Sequence, residues 1–199
     1  MYVIVGIAVA ILGAIGLWFS HRRNLNIRAG LQGLADVYGG TVRRGGWLQH
    51  PICTFTYNNR PYAVTVHEEG DWGNFFEITC HMVTRCRVKI TRQHLLGRLS
   101  RSLGLRQALV IDVPGSDRQV IVKTQDETCV RSWLQDERVG VTIATLMVDM
   151  HELSADGEHL VARKLFAFHM GRDDTEPTEV ERWLTQLDLL AQSLARFGK

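Results

Sequence analysis

The hydrophobic pattern opens with Tyr2 to Phe19, YVIVGIAVAILGAIGLWF, a run of 18 residues without a charge. As an α-helix rising about 1.5 Å per residue it reaches roughly 27 Å, enough to cross a bilayer core. Tyr2, Trp18 and Phe19 stand at its ends, where aromatic rings anchor to the membrane interface. Only Met1 precedes it and no small-x-small cleavage site follows in SHRRN, so the segment is expected to act as an uncleaved signal-anchor. Within it Gly6, Ala10 and Ala14 recur every four residues, with Gly13 and Gly16 on a neighbouring face, a surface smooth enough for another helix to dock.

Beyond a polar connector the period changes repeatedly. Leu31, Leu34, Ala35 and Tyr38 recur near 3.6 residues and predict a short helix over 29–38, stopped by Gly39-Gly40. Period-two stretches rich in Val, Ile, Thr and aromatics follow at Thr41–Trp47, Ile52–Tyr57, Tyr62–His67 and Phe75–Thr91, the last long enough for two strands meeting near Thr84-Arg85. Asn58-Asn59 is a hairpin signal, because Asn tolerates the left-handed backbone such turns need. A helix is predicted over 92–103 with Leu95, Leu96, Leu99 and Leu103 inward, then a hairpin of Gln107–Val113 and Gln119–Thr124 around Pro114-Gly115. Asp126 should cap a helix carrying Val130, Trp133 and Leu134, and after a break near Asp136 the residues Val139, Ile143, Leu146 and Met147 resume helical spacing. Asp149–Leu153 and His159–Phe168 pair across Ala155-Asp156-Gly157. Thr178-x-x-Glu181 reads as a capping box for the longest soluble helix, with Val180, Trp183, Leu184, Leu187, Leu190, Ala191 and Leu194 on one face.

Hairpins interrupted by helices, without regular strand-helix-strand alternation, predict an α+β domain: antiparallel sheet with packed helices, ending in a long amphipathic helix over one sheet face. The chain divides into a transmembrane anchor at 1–20, a juxtamembrane basic linker at 21–30 and a soluble α+β domain at 31–199.

Composition adds little until it is read by position. The chain is 45% hydrophobic and 22% charged, which excludes disordered and disulfide-dense classes, and its net charge of +2 excludes a strongly basic nucleic-acid arm. The balance is uneven, however: residues 20–111 hold 13 Lys and Arg against 5 acids, and residues 112–199 hold 10 against 16. Arg85, Arg87 and Lys89 alternate on one strand face, Arg92 follows, and Arg98 and Arg101 lie one helical turn apart. With Arg22 and Arg23 they form a candidate basic patch for a partner or for anionic lipid, where each cation contributes about 1 kcal/mol. Residues 82–106 contain no Phe, Tyr or Trp to stack on bases, so no nucleic acid is expected. Arg22, Arg23 and Arg28 follow the apolar run, which by the positive-inside bias places the N-terminus outside and the domain in the cytoplasm, the periplasmic side being the alternative. Free thiols at Cys53, Cys80, Cys86 and Cys129 would suit that compartment, although an even count also permits two disulfides outside.

Catalytic patterns are missing. There is no G-x-G-x-x-G, Walker loop, G-x-S-x-G, H-E-x-x-H or C-x-x-C, so no catalytic residue, cofactor or metal is assigned. CHMVTRC, residues 80–86, offers zinc-type ligands, but along a strand it spreads Cys80 and Cys86 over about 20 Å. His151, Asp156, Glu158 and His159 crowd one predicted hairpin, where turn chemistry explains polar residues without catalysis. The expected function is therefore an accessory or scaffolding subunit of a larger membrane complex, not an enzyme, with other membrane-protein subunits and membrane lipid as partners and homo-oligomers as a further option. A lipid- or partner-binding module at the membrane surface is the first alternative, and an anchored enzyme using the His151–His159 region is the second, the latter requiring a concave pocket there.

Overall fold

In the computed structural model the described residues are 18, 25, 27–43, 50–68, 74–92, 109–111, 120–166 and 177–197. The anchor, the linker arginines Arg22 and Arg23, and the expected helix at 92–103 from residue 93 onward lie outside them. Among the described residues no helix is long and apolar enough to cross a membrane.

Nine strands form one antiparallel sheet: β1 (Thr41–Arg43), β2 (Ile52–Tyr57), β3 (Arg60–Glu68), β4 (Asn74–His81), β5 (Val88–Arg92), β6 (Leu109–Ile111), β7 (Val120–Thr124), β8 (Glu152–Ala155) and β9 (His159–Phe166). Their spatial order is β1-β2-β3-β4-β9-β8-β5-β7-β6. The helices among the described residues that accompany them are α1 (27–38), α2 (Glu127–Leu134), α3 (Glu137–Asp149) and α4 (Pro177–Ala195), with residues 18 and 25 also helical. The expected α+β class, the antiparallel sheet and the long C-terminal helix are all present.

Local signals produce the local elements. Asn58 and Asn59 take φ of 49° and 63°, the left-handed pair that lets β2 turn directly into β3. Gly39, at φ 66°, closes α1, and the Gly40 amide returns to the Ala35 carbonyl at 2.8 Å. Asp126 caps α2 by accepting from the Cys129 amide at 2.9 Å, and Asp136 ends the break and caps α3 through the Arg138 amide at 3.0 Å. One expectation is corrected. α4 starts at Pro177, so Thr178 is a first-turn residue and not the cap; proline suits the first helical position because its missing N–H would be unpaired there anyway.

The long stretch read as two strands meeting near Thr84-Arg85 divides as expected, but β4 and β5 are not neighbours. Residues 82–87 arch over the tip of the β8–β9 hairpin, with the Met82 and Thr84 amides donating to the carbonyls of Glu158 and Gly157 at 2.9 Å each. The hairpin fills the gap, β9 pairing with β4 and β8 with β5. A disulfide between Cys86 and Cys129 pins this arch to α2, with Cα atoms 5.8 Å apart. By loop entropy a closure of 43 residues contributes about 4 kcal/mol. Of the four cysteines, whose pairing the sequence leaves open, Cys86 and Cys129 are joined here and Cys53 and Cys80 are free and buried.

The core lies on one face of the sheet. Cys53, Val64, Phe76, Ile78, Ile90, Val122, Leu153 and Ala162 point into it, and α4 packs against β4, β9 and α3 with the seven residues expected from its spacing, each fully buried. Trp183 packs on Phe76 with ring centroids 5.8 Å apart, while Tyr38 of α1 stacks on Phe55 at 4.9 Å. Buried polar groups sit where helices must be fixed in place. The Trp133 indole donates to Ser193 at 2.7 Å, joining α2 to α4. Thr84 donates to the Leu194 carbonyl at 3.1 Å, joining the arch to α4. Asp188 accepts from Asn58 at 3.0 Å and Gln192 at 2.8 Å and pairs with Arg60 at 2.9 Å, so the β2–β3 turn is fastened to α4.

Two stability predictions follow from these contacts. A Cβ on Gly40 would sit 2.6 Å from the Thr54 carbonyl oxygen and 2.8 Å from Phe55 Cβ, so Gly40→Ala should lower unfolding free energy by about 1–3 kcal/mol in urea titrations. Asp188→Ala removes the carboxylate from Arg60, whose side chain stays 26% exposed, so the loss should fall at the low end of about 3–5 kcal/mol for a broken buried pair. A midpoint equal to that of the parent protein would remove the fastening role.

Candidate interaction surface

Alternation that buries one face of each strand leaves the other outward, and no described helix covers it. Register aligns Glu77, Arg163 and Glu152 across β4, β9 and β8. Arg163 Nε lies 2.7 Å from Glu77 and its Nη1 lies 3.6 Å from Glu152, while Lys89 of β5 reaches Glu152 at 2.7 Å. Four side chains of alternating sign therefore run across the seam between the N-terminal strands and the rest of the sheet. The carboxylates are 15% and 19% exposed, so water screens these pairs less than at an open surface.

This ladder changes what the basic patch can do. Lys89 is paired with Glu152, and Arg92 turns to the end of α3, donating through Nε to the Met147 carbonyl at 2.6 Å and through a second nitrogen to that of Val148. Those carbonyls carry the negative end of the helix dipole, which a guanidinium neutralises. Arg85 and Arg87 remain exposed on the arch. Arg98, Arg101, Arg22 and Arg23, together with Gly6, Ala10, Gly13, Ala14 and Gly16, lie outside the described residues. Apolar exposure is found elsewhere: Val83 on the arch is 73% exposed, and Val141 and Val148 on the outward side of α3 are 47% and 55% exposed. The spacing of these two α3 residues, two turns of helix, puts them on one stripe suited to a protein partner.

The candidate chemistry disperses. Burial pushes the Cys53 thiol up to about 11 and raises that of Cys80 above its ordinary value, so both stay protonated and are poor nucleophiles. Cys86 is in the disulfide, which separates it from Cys80 and His81 as a ligand set. His151 accepts the Leu165 amide at 3.2 Å and serves the backbone. Asp156 accepts from the Glu158 and His159 amides at 2.9 and 2.8 Å and shapes the hairpin tip. A groove of about 470 Å³ lies apart from these histidines, between the α2–α3 junction and the end of α4, lined by Asp136, Arg138, Leu189, Gln192, Ser193 and Arg196. Asp136 caps α3 there and Ser193 is bonded to Trp133 and Leu190, so neither is poised as base or nucleophile. Among the described residues no group of three or more His, Cys, Asp or Glu side chains is placed to hold a metal ion. Glu77 and Arg163 are not among the candidates the sequence offers, and Glu152 is offered only as a carboxylate beside the His151–His159 hairpin. Their outward strand positions were legible, but their mutual contact depends on strand order.

No protein family matches the chain, and no curated protein is significantly similar to it. Among solved structures, that of the mycobacterial trehalose monomycolate transport factor A, TtfA, is similar, with a TM-score of 0.58 and 12% identity. The match covers 86% of this chain and 95% of that one, and at such identity it establishes a shared fold.

Proposed function

We propose that this protein is a membrane-anchored accessory subunit of a membrane transport assembly, held by its N-terminal apolar segment and docking partners through its α+β domain. The observation that carries the reading is the fold likeness to a transport factor along nearly the whole of both chains. The 18-residue uncharged run with its Gly6, Ala10 and Ala14 face supplies an anchor and a helix-docking surface, and the dispersed candidate chemistry gives catalysis no support. On the domain, the exposed Val141–Val148 stripe and the open sheet face are the surfaces for protein partners.

Solubilising the full-length protein from its own membranes in mild detergent, through a C-terminal tag, should recover a fixed-stoichiometry set of membrane proteins that includes a transporter. Changing Gly6, Ala10 and Ala14 to Leu together should release that set while leaving the protein in the membrane. Recovery of the protein alone would overturn the accessory role.

The cytoplasmic placement of the domain is part of the proposal and rests on Arg22, Arg23 and Arg28 after the apolar run. The Cys86–Cys129 bond makes it testable, because a reducing compartment opens such bonds and an oxidising one keeps them. Denaturing alkylation of acid-quenched native membranes should label all four cysteines of a cytoplasmic domain. Label on Cys53 and Cys80 alone would move the domain to the other side.

A further inference from the structure

We infer that His81 and His159 form a two-imidazole site for a borderline transition-metal ion such as Ni²⁺, Cu²⁺ or Zn²⁺. The two residues are direct partners in the β4–β9 register, brought together where the 82–87 arch passes the tip of the β8–β9 hairpin. The adjacent pair, Met82 and Glu158, carries the inter-strand hydrogen bond. His81 and His159 therefore occupy a non-hydrogen-bonded pair, the arrangement in which antiparallel side chains approach most closely. Their ring centroids are 4.6 Å apart at an interplanar angle of 64°, on the outward face of the sheet. The sequence offers His81 within CHMVTRC and His159 within the hairpin cluster, but nothing local relates the two to each other.

A neighbouring carboxylate prepares one of the rings. Asp156 Oδ2 lies 3.3 Å from His159 Nδ1, and a proton held between them leaves Nε2 of the neutral ring as the free lone pair. Asp156 is itself held in place by the Glu158 and His159 amides, which donate to its Oδ1. The turn thus supplies a fixed anion behind the ligand, the same relation that orients histidines at metal centres. His159 is 30% exposed at its side chain and His81 is exposed, so the ion is reached from solvent and water completes its coordination.

The surroundings select the class of ion. Arg87 flanks the hairpin tip, its Nε 3.8 Å from where a Cβ on Gly157 would stand, and opposes cations held by charge alone. Hard ions that need several carboxylate or carbonyl oxygens, Mg²⁺ and Ca²⁺, find no such set here, whereas imidazole nitrogen suits Ni²⁺, Cu²⁺ and Zn²⁺.

The test uses full-length protein in detergent, purified without a histidine tag, with Ni²⁺ as the calorimetric probe, Mg²⁺ as the control and Cu²⁺ for electron paramagnetic resonance. One Ni²⁺ should bind per chain with no matching Mg²⁺ signal, and bound Cu²⁺ should show hyperfine structure from two imidazole nitrogens. His81→Ala and His159→Ala should each weaken Ni²⁺ at least tenfold and reduce the Cu²⁺ signature to one nitrogen. Asp156→Asn should weaken binding by about 10- to 100-fold while keeping both nitrogens, as expected for a residue that positions a ligand. If the hairpin variants fail to fold, His81→Ala decides alone, because its ring makes no hydrogen bond within the described residues. Equal Ni²⁺ affinity in the parent and the His81→Ala protein would overturn the site.

Discussion

The pairing of β9 with β4 is the constraint on which the rest of this fold depends. It runs from Asn74↔Phe166 to His81↔His159 and joins the strands that precede residue 82 to all that follow. Without it the sheet would end at β4 on one side and β9 on the other, exposing two long edges of unpaired amides and carbonyls. Forming it requires closing a loop of roughly eighty residues before any hydrogen bond in it forms, so its stability has to come from what it completes. It completes a continuous apolar face under α4, and it creates the charge ladder Glu77–Arg163–Glu152–Lys89 on the opposite face.

The arch at 82–87 is the local expression of the same constraint. A chain leaving β4 must clear the hairpin tip before it can enter β5, and several contacts hold it there: the amides of Met82 and Thr84, the Thr84 hydroxyl on α4, the Thr124 hydroxyl on the Arg87 carbonyl at 2.7 Å, and the disulfide to α2. These ties come from the sheet and from two helices. Six residues of irregular backbone are therefore ordered by long-range partners, with little help from turn residues of their own.

Among the described residues the helices lie on one side of the sheet. The helical side is closed by Trp133, Trp183 and the leucines of α4, with a polar groove near α4's end. The other face carries the ladder, in which acids and bases neutralise one another. The basic run of residues 85–92 is divided by the same geometry, since Lys89 and Arg92 serve the fold while Arg85 and Arg87 stay in solvent.

The sequence by itself determined whatever acts over one turn or one strand. The Asn58-Asn59 turn, the Gly39 stop, the Asp126 and Asp136 caps and the α4 stripe each depend on neighbours within a few residues, so their chemistry is written locally. The apolar run of residues 2–19 is legible for the same reason, because hydrophobic length is additive along the chain. Only the tertiary structure decided the strand order, the joining of Cys86 to Cys129, the fastening of Asp188 to Arg60 and the meeting of His81 with His159. Antiparallel hairpins carry little information about which hairpin lies beside which. That choice is made collectively by the burial of one shared face, a property that belongs to no single segment of the chain.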